Sequence, residues 1–296
     1  MHRESGESEE RKMKKHMKQL ALVLSVLMLI AAFAGCGSKS SAPAEKPAET
    51  VSSDGPVMSK IKAAGKLVVG TEAQYAPYEF KDLNANFVGC DMFLAQKIAD
   101  ALGVKLEIVD MSFDGIIPAV QAGQVDMGIA AFTNTPDRAE KIDFSDLYET
   151  SLQYLVVAAD KADTYTSKEA LAGLKVGAQR GTVQSQLITS ALPDSQLFEL
   201  DKYPELALEV ANGNIAGLVV DSAVGDSIVA TSNGALAVAK FEFTAEEASF
   251  GKSVVIPKGN EDLVAAVNVV IAQVLADGSY QAAYDEAVAL AKEMGV

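Results

Sequence analysis

Apolar and polar positions form short alternating blocks from Lys66 onward, and these blocks predict strands and helices in turn. The run KLVVG predicts a strand. DMFLAQKIADALG predicts a helix with Leu94, Ile98 and Leu102 on one face and Gly103 at its end. The runs KLEIV, FDGIIPAVQAG and VDMGIA repeat the order strand, helix, strand. The pattern therefore predicts a mainly parallel sheet with helices on its faces.

A second series of the same kind begins after LQYLVVAAD. Its predicted strands are LKVGA, SQLFEL and GLVVD, and its predicted helices are TVQSQLITSAL and PELALEVANG. The chain then has a strand, SVVIP, and two long helical patterns, EDLVAAVNVVIAQVLADG and SYQAAYDEAVALAKEMG. Because 296 residues exceed the usual size of a single domain, roughly 100 to 200 residues, we expect two α/β lobes.

The first 57 residues have a different pattern. A basic start, an apolar run from Leu20 to Ala34 and small residues up to Cys36 predict a signal peptide over residues 1–35. The residues before Met13 resemble an upstream extension, with translation starting at Met13 or Met17. Residues 36–57 are rich in Ser, Ala, Pro and Glu without apolar periodicity, which predicts a flexible tether.

Composition excludes several kinds of chemistry. Both histidines, His2 and His16, lie in the leader, so the mature chain has no imidazole for Ser-His-Asp or Cys-His catalysis or for a histidine zinc site. We also find no phosphate-binding or calcium-binding loop pattern and expect no cofactor and no metal. The net charge of -15 argues against nucleic acid as a partner. Of the two cysteines, Cys36 and Cys90, we expect Cys90 to be a small buried apolar residue at the start of a helix.

Polar residues follow several predicted strands, where ligands bind in open α/β sheets. The stretches are GTEAQY (70–75), AAFTNTPDR (130–138), AQRGT (178–182) and Asp221 at the end of GLVVD. Arg138 offers a fork of donors to an anion, and a helix N-terminus after AQRGT adds backbone N–H groups. Asp221 is an acid for a cation, and its burial is costly unless it is paired. A free amino acid carries both charges, so zwitterion binding is one interpretation. Each feature alone also has an ordinary structural explanation.

The ordered motifs resemble the extracellular polar amino-acid-binding proteins of ABC importers. The resemblance runs from about Lys60 to the end and rests on GTEAQYAPYEF, VGCDMFLAQKIADALG, FDGIIPAVQAGQVDMGIAAFTNTPDRAEKIDFSDLY, LKVGAQRGT, ANGNIAGLVVDSA and LADGSYQAAYDE. It implies the type II periplasmic-binding-protein fold, in which two α/β lobes are joined by crossing hinge strands. Lobe 1 would comprise residues 58–155 plus 245–296, and lobe 2 residues 156–244.

The same resemblance implies a ligand-binding site. Arg138 matches the arginine that pairs with the ligand α-carboxylate, Thr133 lies beside it, and Thr182 supplies a second carboxylate donor. Asp221 matches the acid that holds the α-ammonium group, and the Ala131 carbonyl shares that task. Four further residues line the ligand side chain: the aromatic Tyr75 and Phe113, the acidic Glu72, and Gln179. The family often has Gly or Ser where Ala131 stands, GFD where this chain has GCD, and Asp where it has Ala216.

Glu72 favours arginine or lysine as the ligand, because a carboxylate attracts a cationic side chain. Glutamine, histidine and other polar amino acids remain open, since a carboxylate also accepts hydrogen bonds from neutral groups. The main alternative is a secreted enzyme on the same scaffold, similar to cyclohexadienyl dehydratases, with Glu72 or Asp221 as general acid. A sensor or adhesin lipoprotein is a third class.

The stretch FAGC resembles the bacterial lipobox, with Phe33 where Leu is more usual. The resemblance implies that Cys36 is lipidated and anchors the protein to the cell membrane, although ordinary secretory cleavage is an alternative. The expected partners are a free amino acid, an ABC importer permease and, through the lipid on Cys36, the membrane. We expect a monomer that is not an enzyme.

Overall fold

The computed structural model describes residues 54–296. The predicted signal peptide, Cys36 and most of the predicted tether lie outside the described residues. The tether was predicted to extend to residue 57, but this boundary is wrong, because the first helix begins at Pro56. Met58 and Ile61 are buried on this helix, and the Gly55 amide donates to Asp262 Oδ2 (2.7 Å). Packing against the core therefore orders the chain before the tether was expected to end.

The chain up to residue 151 builds most of one sheet and the helices on it. Its elements are α1 (Pro56–Ala64), β1 (Lys66–Thr71), β2 (Gln74–Tyr75), β3 (Glu79–Lys81), β4 (Phe87–Val88), α2 (Cys90–Leu102), β5 (Lys105–Asp110), α3 (Phe113–Gln121), β6 (Met127–Phe132), α4 (Pro136–Ala139), β7 (Ile142–Phe144) and β8 (Glu149–Ser151). On α2, Leu94 and Ile98 are buried, Leu102 is half-buried, and Gly103 ends the helix in the left-handed conformation, as predicted. Cys90 is buried at the start of α2, as predicted.

The following segment builds the second sheet, and the C-terminal segment returns to the first. The second sheet and its helices are β9 (Gln153–Ala158), β10 (Lys175–Gln179), α5 (Val183–Ala191), β11 (Gln196–Leu200), α6 (Tyr203–Ala211), β12 (Gly217–Asp221), α7 (Ser222–Thr231) and β13 (Leu236–Val238), with two short 3₁₀ turns after β9. The return comprises α8 (Ala245–Ala248), β14 (Phe250–Pro257), α9 (Glu261–Ala276) and α10 (Ser279–Met294). Within residues 54–296, no single helix has the length and apolar character needed to cross a membrane.

Each of the two large sheets has three parallel strands on one side and antiparallel pairing on the other. The first has the order β5-β1-β6-β14-β7, with β8 paired to β14, and the second has the order β11-β10-β12-β9-β13. The strands joined by helical crossovers are parallel, as predicted, whereas β14 and β9 are antiparallel to their neighbours. The chain reaches each of these two strands from the other sheet and not through a helical crossover. Parallel pairing needs such a crossover, so these strands can pair antiparallel. A small antiparallel sheet, β2-β3-β4, joins β1 to α2.

One glycine allows α2 to begin directly against the small sheet. Gly89 has φ 123°, and a Cβ atom there would lie 2.1 Å from the carbonyl oxygen of Tyr78. The Asp91 amide, in the first turn of α2, donates to that same oxygen (2.9 Å). Any residue other than glycine at position 89 would push α2, and with it Asp91, away from the carboxyl end of β6.

Candidate ligand-binding site

Arg138 lies just beyond the carboxyl end of β6. Thr135 caps the short helix α4 by accepting a hydrogen bond from the Arg138 amide (3.3 Å), which fixes where the side chain starts. The guanidinium donates to the carbonyl oxygens of Thr133 (2.7 Å) and Gly181 (3.0 Å). It also lies 5.5 Å from the ring centre of Phe113 and 5.4 Å from that of Phe132.

The charge of Arg138 has no carboxylate partner among the described residues, since its polar contacts are to carbonyl oxygens. Burial lowers the pKa of Arg138 to about 10, so the guanidinium stays protonated at neutral pH. A guanidinium has five N–H donors, and the two carbonyl contacts leave others free. Arg138 can therefore bind an anion in the cleft that it lines.

The N-terminus of α5 faces Arg138 from the second sheet. Thr182 caps α5 by accepting from the Ser185 amide (3.3 Å), and its hydroxyl donates to the Gln179 carbonyl (2.7 Å). The hydroxyl is thus used within the protein, so the donors that remain for an anion are the first backbone N–H groups of the helix. Gly181 has φ 75°, and a Cβ atom there would lie 3.0 Å from the Cβ atom of Asp114, which lets this turn approach α3.

Asp221 ends β12 and is 3% exposed. Its carboxylate accepts hydrogen bonds from the Tyr75 hydroxyl (2.5 Å) and Gln153 Nε2 (2.6 Å), and from the Ser151 hydroxyl. Lys252 Nζ completes the set with an ion pair at 2.9 Å. Burial raises the pKa of Asp221, but Lys252 and the three hydrogen bonds outweigh burial and leave the pKa below its usual value. Asp221 does not cap α7 with its side chain, so its role lies in this cluster.

Two glutamates, Glu72 and Glu79, also line the site. Glu72 is 3% exposed and accepts a hydrogen bond from Gln179 Nε2 (3.3 Å), which also donates to the Asp201 carbonyl (2.8 Å). Burial raises the pKa of Glu72 to about 7, although the hydrogen bond from Gln179 acts in the opposite direction and lowers the pKa. Burial also raises the pKa of Glu79 well above its usual value, and Asp91 adds to this effect.

Ala131 has an unusual backbone conformation for a residue other than glycine. Its φ is 48°, in the left-handed region, and its amide donates to Asp91 Oδ2 (2.8 Å). Such strain persists only where the surroundings impose it, and it concentrates at functional sites. Here the buried Asp91 carboxylate holds the amide inward and turns the backbone at the point where β6 meets the cleft.

The nine predicted ligand-binding residues all line one cleft between the two sheets. These are Glu72, Tyr75, Phe113, Ala131, Thr133, Arg138, Gln179, Thr182 and Asp221. Tyr75 packs against Tyr78 and Tyr203, with ring centres 5.7 and 5.1 Å away, and Phe113 stacks on Phe132 at 4.6 Å. The structure therefore brings the predicted residues together in a cleft that aromatic and charged side chains line. Arg180, in the same AQRGT stretch as Gln179 and Thr182, is instead exposed and pairs with Asp201.

Sequence reasoning missed several residues of the cleft. Glu79, Ala130, Val183, Gln184 and Tyr203 also line it. Lys252, which forms an ion pair with Asp221, was missed as well. A lysine inside the apolar run around SVVIP was a usable signal, because a buried cation requires an acidic partner.

A family model described as "Bacterial extracellular solute-binding proteins, family 3" matches residues 67–288. The L-cystine-binding protein TcyJ of Escherichia coli (strain K12) is 30% identical over 226 residues, which cover 76% of this chain and 84% of that protein. Two solved structures are also similar to this chain. The arginine-bound substrate-binding protein AbpA from Streptococcus pneumoniae matches with a TM-score of 0.76 and 31% identity, covering 79% of this chain and 98% of the other. An ancestral amino-acid-binding protein, a precursor of cyclohexadienyl dehydratase, matches with a TM-score of 0.69 and 35% identity, covering 77% and 97%.

These similarities confirm the predicted type II periplasmic-binding-protein fold with two α/β lobes. They extend over both sheets and over every strand end that contributes to the cleft. The chain belongs to family 3 of the bacterial extracellular solute-binding proteins.

Proposed function

We propose that this protein captures a free polar amino acid outside the cell and delivers it to an ABC importer. The observation that carries the proposal is the pair of opposite charges in one buried cleft, the guanidinium of Arg138 and the carboxylate of Asp221. An α-amino acid presents an anion and a cation on a single carbon atom, so one small molecule fits both. The relatives named above as binding arginine and cystine support the same class of ligand.

In this proposal the ligand α-carboxylate binds the free N–H groups of Arg138, the Thr133 backbone and the N-terminus of α5. The α-ammonium group binds Asp221 and the Ala131 carbonyl oxygen. A carboxylate has about four lone-pair positions. The ammonium group must therefore share Asp221 with its present donors, which include the Tyr75 hydroxyl. Tyr75 and Phe113 flank the ligand side chain, and Gln179 and Glu72 meet its far end.

We infer that hinge closure traps the ligand. The chain passes between the sheets at residues 151–153, after β8, and again between β13 and β14, and β8 pairs with β14. Polar contacts between the lobes across the cleft include those of Arg138 with Gly181, Tyr75 with Asp221, and Gln179 with Glu72. A ligand held by both lobes binds the closed form more tightly and so favours it. The lobe boundaries predicted at residues 155 and 245 are part of this proposal.

Stabilisation by one or a few amino acids is the expected result of a thermal-shift screen of all twenty. A ligand at a hundred times its Kd adds about 2.7 kcal/mol to the free energy of unfolding, which such a screen detects. We expect the largest shift with L-arginine or L-lysine, because the Glu72 carboxylate can accept hydrogen bonds from the N–H groups of a cationic side chain. No shift with any amino acid would overturn the proposal. A response to glutamate alone would overturn the cationic ligand, and a response to glutamine would favour the neutral alternative.

The affinity for L-arginine is expected to depend on Glu72 and on pH. Since burial raises the pKa of Glu72 to about 7, the cationic ligand must displace a proton below pH 7, and the affinity falls about tenfold between pH 8 and pH 6. In Glu72→Gln this pH dependence is lost, and the affinity at pH 8 is lower than that of the wild type. Calorimetric titrations at both pH values measure this.

The stability of the unliganded protein gives an independent check on Glu72. Because the pKa of Glu72 is raised, the folded state holds a proton on Glu72 more tightly than the unfolded state does. This proton adds to the free energy of unfolding in full below the usual pKa of a glutamate. The contribution is lost as the pH rises through 7. At pH 8, Glu72→Gln is therefore expected to be more stable than the wild type. Lower stability at pH 8, or an unchanged pH profile of affinity, would show that Glu72 does not titrate in the cleft.

An enzyme on the same scaffold is the second candidate, because a buried carboxyl group with a pKa near 7 suits a general acid. The structural neighbour that is a precursor of cyclohexadienyl dehydratase is itself an amino-acid-binding protein. Incubation of the purified protein with cyclohexadienyl amino acids distinguishes the two, since product formation would favour the enzyme. We propose a monomer that is not an enzyme and is anchored to the membrane through lipid on Cys36.

A further inference from the structure

Glu79 and Asp91 are two buried carboxyl groups that lie side by side next to the cleft. Glu79, on β3, is 1% exposed, and Asp91, in the first turn of α2, is 0% exposed. The Asp91 amide donates to the carbonyl oxygen of Tyr78, the residue before Glu79 (2.9 Å), which holds the start of α2 against β3. The two carboxyl groups are thereby in hydrogen-bond contact. Two ionised carboxylates in contact would repel each other strongly in the protein interior.

One oxygen atom of each carboxyl group lacks a hydrogen-bond donor. Among residues 54–296, no donor group reaches Glu79 Oε2 or Asp91 Oδ1, and both atoms are buried. The other Asp91 oxygen, Oδ2, accepts from the Ala131 amide (2.8 Å) and the Tyr148 hydroxyl (2.9 Å), as an ionised carboxylate does. A single proton shared by the two carboxyl groups would satisfy both free oxygens and remove the repulsion.

Glu79 is the better carrier of that proton. Burial raises the pKa of both groups, but their mutual contact raises the pKa of Glu79 further and lowers that of Asp91. We propose that Glu79 is a protonated carboxylic acid whose O–H donates to Asp91 Oδ1. Glu79 is then a positioning residue, because it completes the hydrogen bonding of the carboxylate that holds the Ala131 amide where β6 meets the cleft. The inference concerns the unliganded protein and does not depend on which ligand the cleft takes.

The surrounding charges leave a proton as the available means of neutralising one of the two carboxylates. Lys252 lowers the pKa of both groups, whereas Glu72 raises that of Glu79. Lys252 already pairs with Asp221 at 2.9 Å. Four further titratable groups face the pair from α2, from β8 and the residue before it, and from α10: Cys90, Tyr148, Glu149 and Tyr280.

Chemical denaturation between pH 5 and pH 7 tests the shared proton. The folded state holds this proton above the usual pKa of a glutamate, so unfolding releases it, and the unfolding equilibrium constant rises about tenfold per pH unit on its account. Glu72 also has a raised pKa and contributes a similar rise, so Glu72→Gln is the reference protein. Adding Glu79→Gln should remove about one tenfold rise per pH unit, because the amide donates to Asp91 without titrating. Equal slopes for the two proteins would overturn the inference.

Infrared spectra of the same two proteins at pH 6 locate the proton. The carbonyl stretch of a protonated carboxylic acid should be present in Glu72→Gln and lost when Glu79→Gln is added. A band of unchanged intensity would place the proton elsewhere and overturn the inference.

Glu79→Leu, in the same Glu72→Gln background, is the matched variant that supplies no donor to Asp91. Its unfolding equilibrium constant at pH 6 should be about tenfold to a hundredfold higher than that of Glu79→Gln, because Asp91 Oδ1 stays buried without a donor. Equal stability of the two variants would show that Asp91 needs no donor from position 79, against the inference. None of these measurements uses an amino acid, so their failure leaves the proposed function standing, and a failed amino-acid screen leaves this inference standing.

Discussion

Lysine in place of Arg138 is expected to weaken amino-acid binding by about tenfold to a hundredfold, although it preserves the positive charge. Arg138 donates to two carbonyl oxygens, on Thr133 and Gly181, and keeps further N–H groups for a carboxylate. A lysine has only three donors on one nitrogen and cannot present two parallel N–H groups to a carboxylate. It also loses the planar contact with the rings of Phe113 and Phe132.

Isothermal calorimetry with the best amino acid from the screen measures the effect of Arg138→Lys. Arg180→Lys is the control, because Arg180 is exposed, pairs with Asp201 and does not line the cleft. Its affinity should match that of the wild type. Equal affinities for Arg138→Lys and the wild type would show that Arg138 does not hold the ligand carboxylate.

Methionine in place of Lys252 is expected to lower the free energy of unfolding by about 3–5 kcal/mol. Lys252 is fully buried, and its Nζ lies 2.9 Å from Asp221 Oδ2 and 2.9 Å from the Ser151 hydroxyl. Nζ also lies 4.7 Å from the ring centre of Tyr78. Removing the ammonium group leaves the Asp221 charge buried without its cation. The same substitution should weaken amino-acid binding at low pH, since the pKa of Asp221 then rises.

Chemical denaturation of Lys252→Met and two further variants measures the loss in stability. Lys66→Met is the control, because Lys66 pairs with Glu107 at 2.7 Å while both side chains are nearly half exposed, and such pairs contribute about 0–1 kcal/mol. The double variant Lys252→Met with Asp221→Asn should be more stable than Lys252→Met alone, because it also removes the Asp221 charge that has lost its cation. A loss equal to that of Lys66→Met would contradict the role of Lys252 as the cation that compensates Asp221.

The order of strands and helices was predictable because each element carries its own periodicity. Alternating blocks such as KLVVG and DMFLAQKIADALG meet the requirements of a buried strand and an amphipathic helix without reference to the rest of the chain. The antiparallel placement of β9 and β14 was not predictable in this way. It depends on which sheet each strand joins after the chain crosses, and local periodicity carries no information about that choice.

The cleft was predictable where a polar residue lies at the end of a strand or in the segment just after it. Arg138 and Asp221 stand out for that reason, and the family motifs added the remaining predicted residues. Tyr203 and Lys252 did not stand out, because their importance comes from residues distant in the chain. Lys252 pairs with Asp221, and Tyr203 packs on Tyr75. A tyrosine that begins a helix and a lysine within a strand have many ordinary explanations until the fold shows their neighbours.

A crystal structure of the protein with its best amino acid tests the proposed zwitterion site most directly. We expect the α-carboxylate on the Arg138 guanidinium and the α5 N-terminus, and the α-ammonium group on Asp221 and the Ala131 carbonyl, with the side chain directed toward Glu72. An amino acid bound outside this cleft, or bound within it with its carboxylate away from Arg138, would contradict the proposed site.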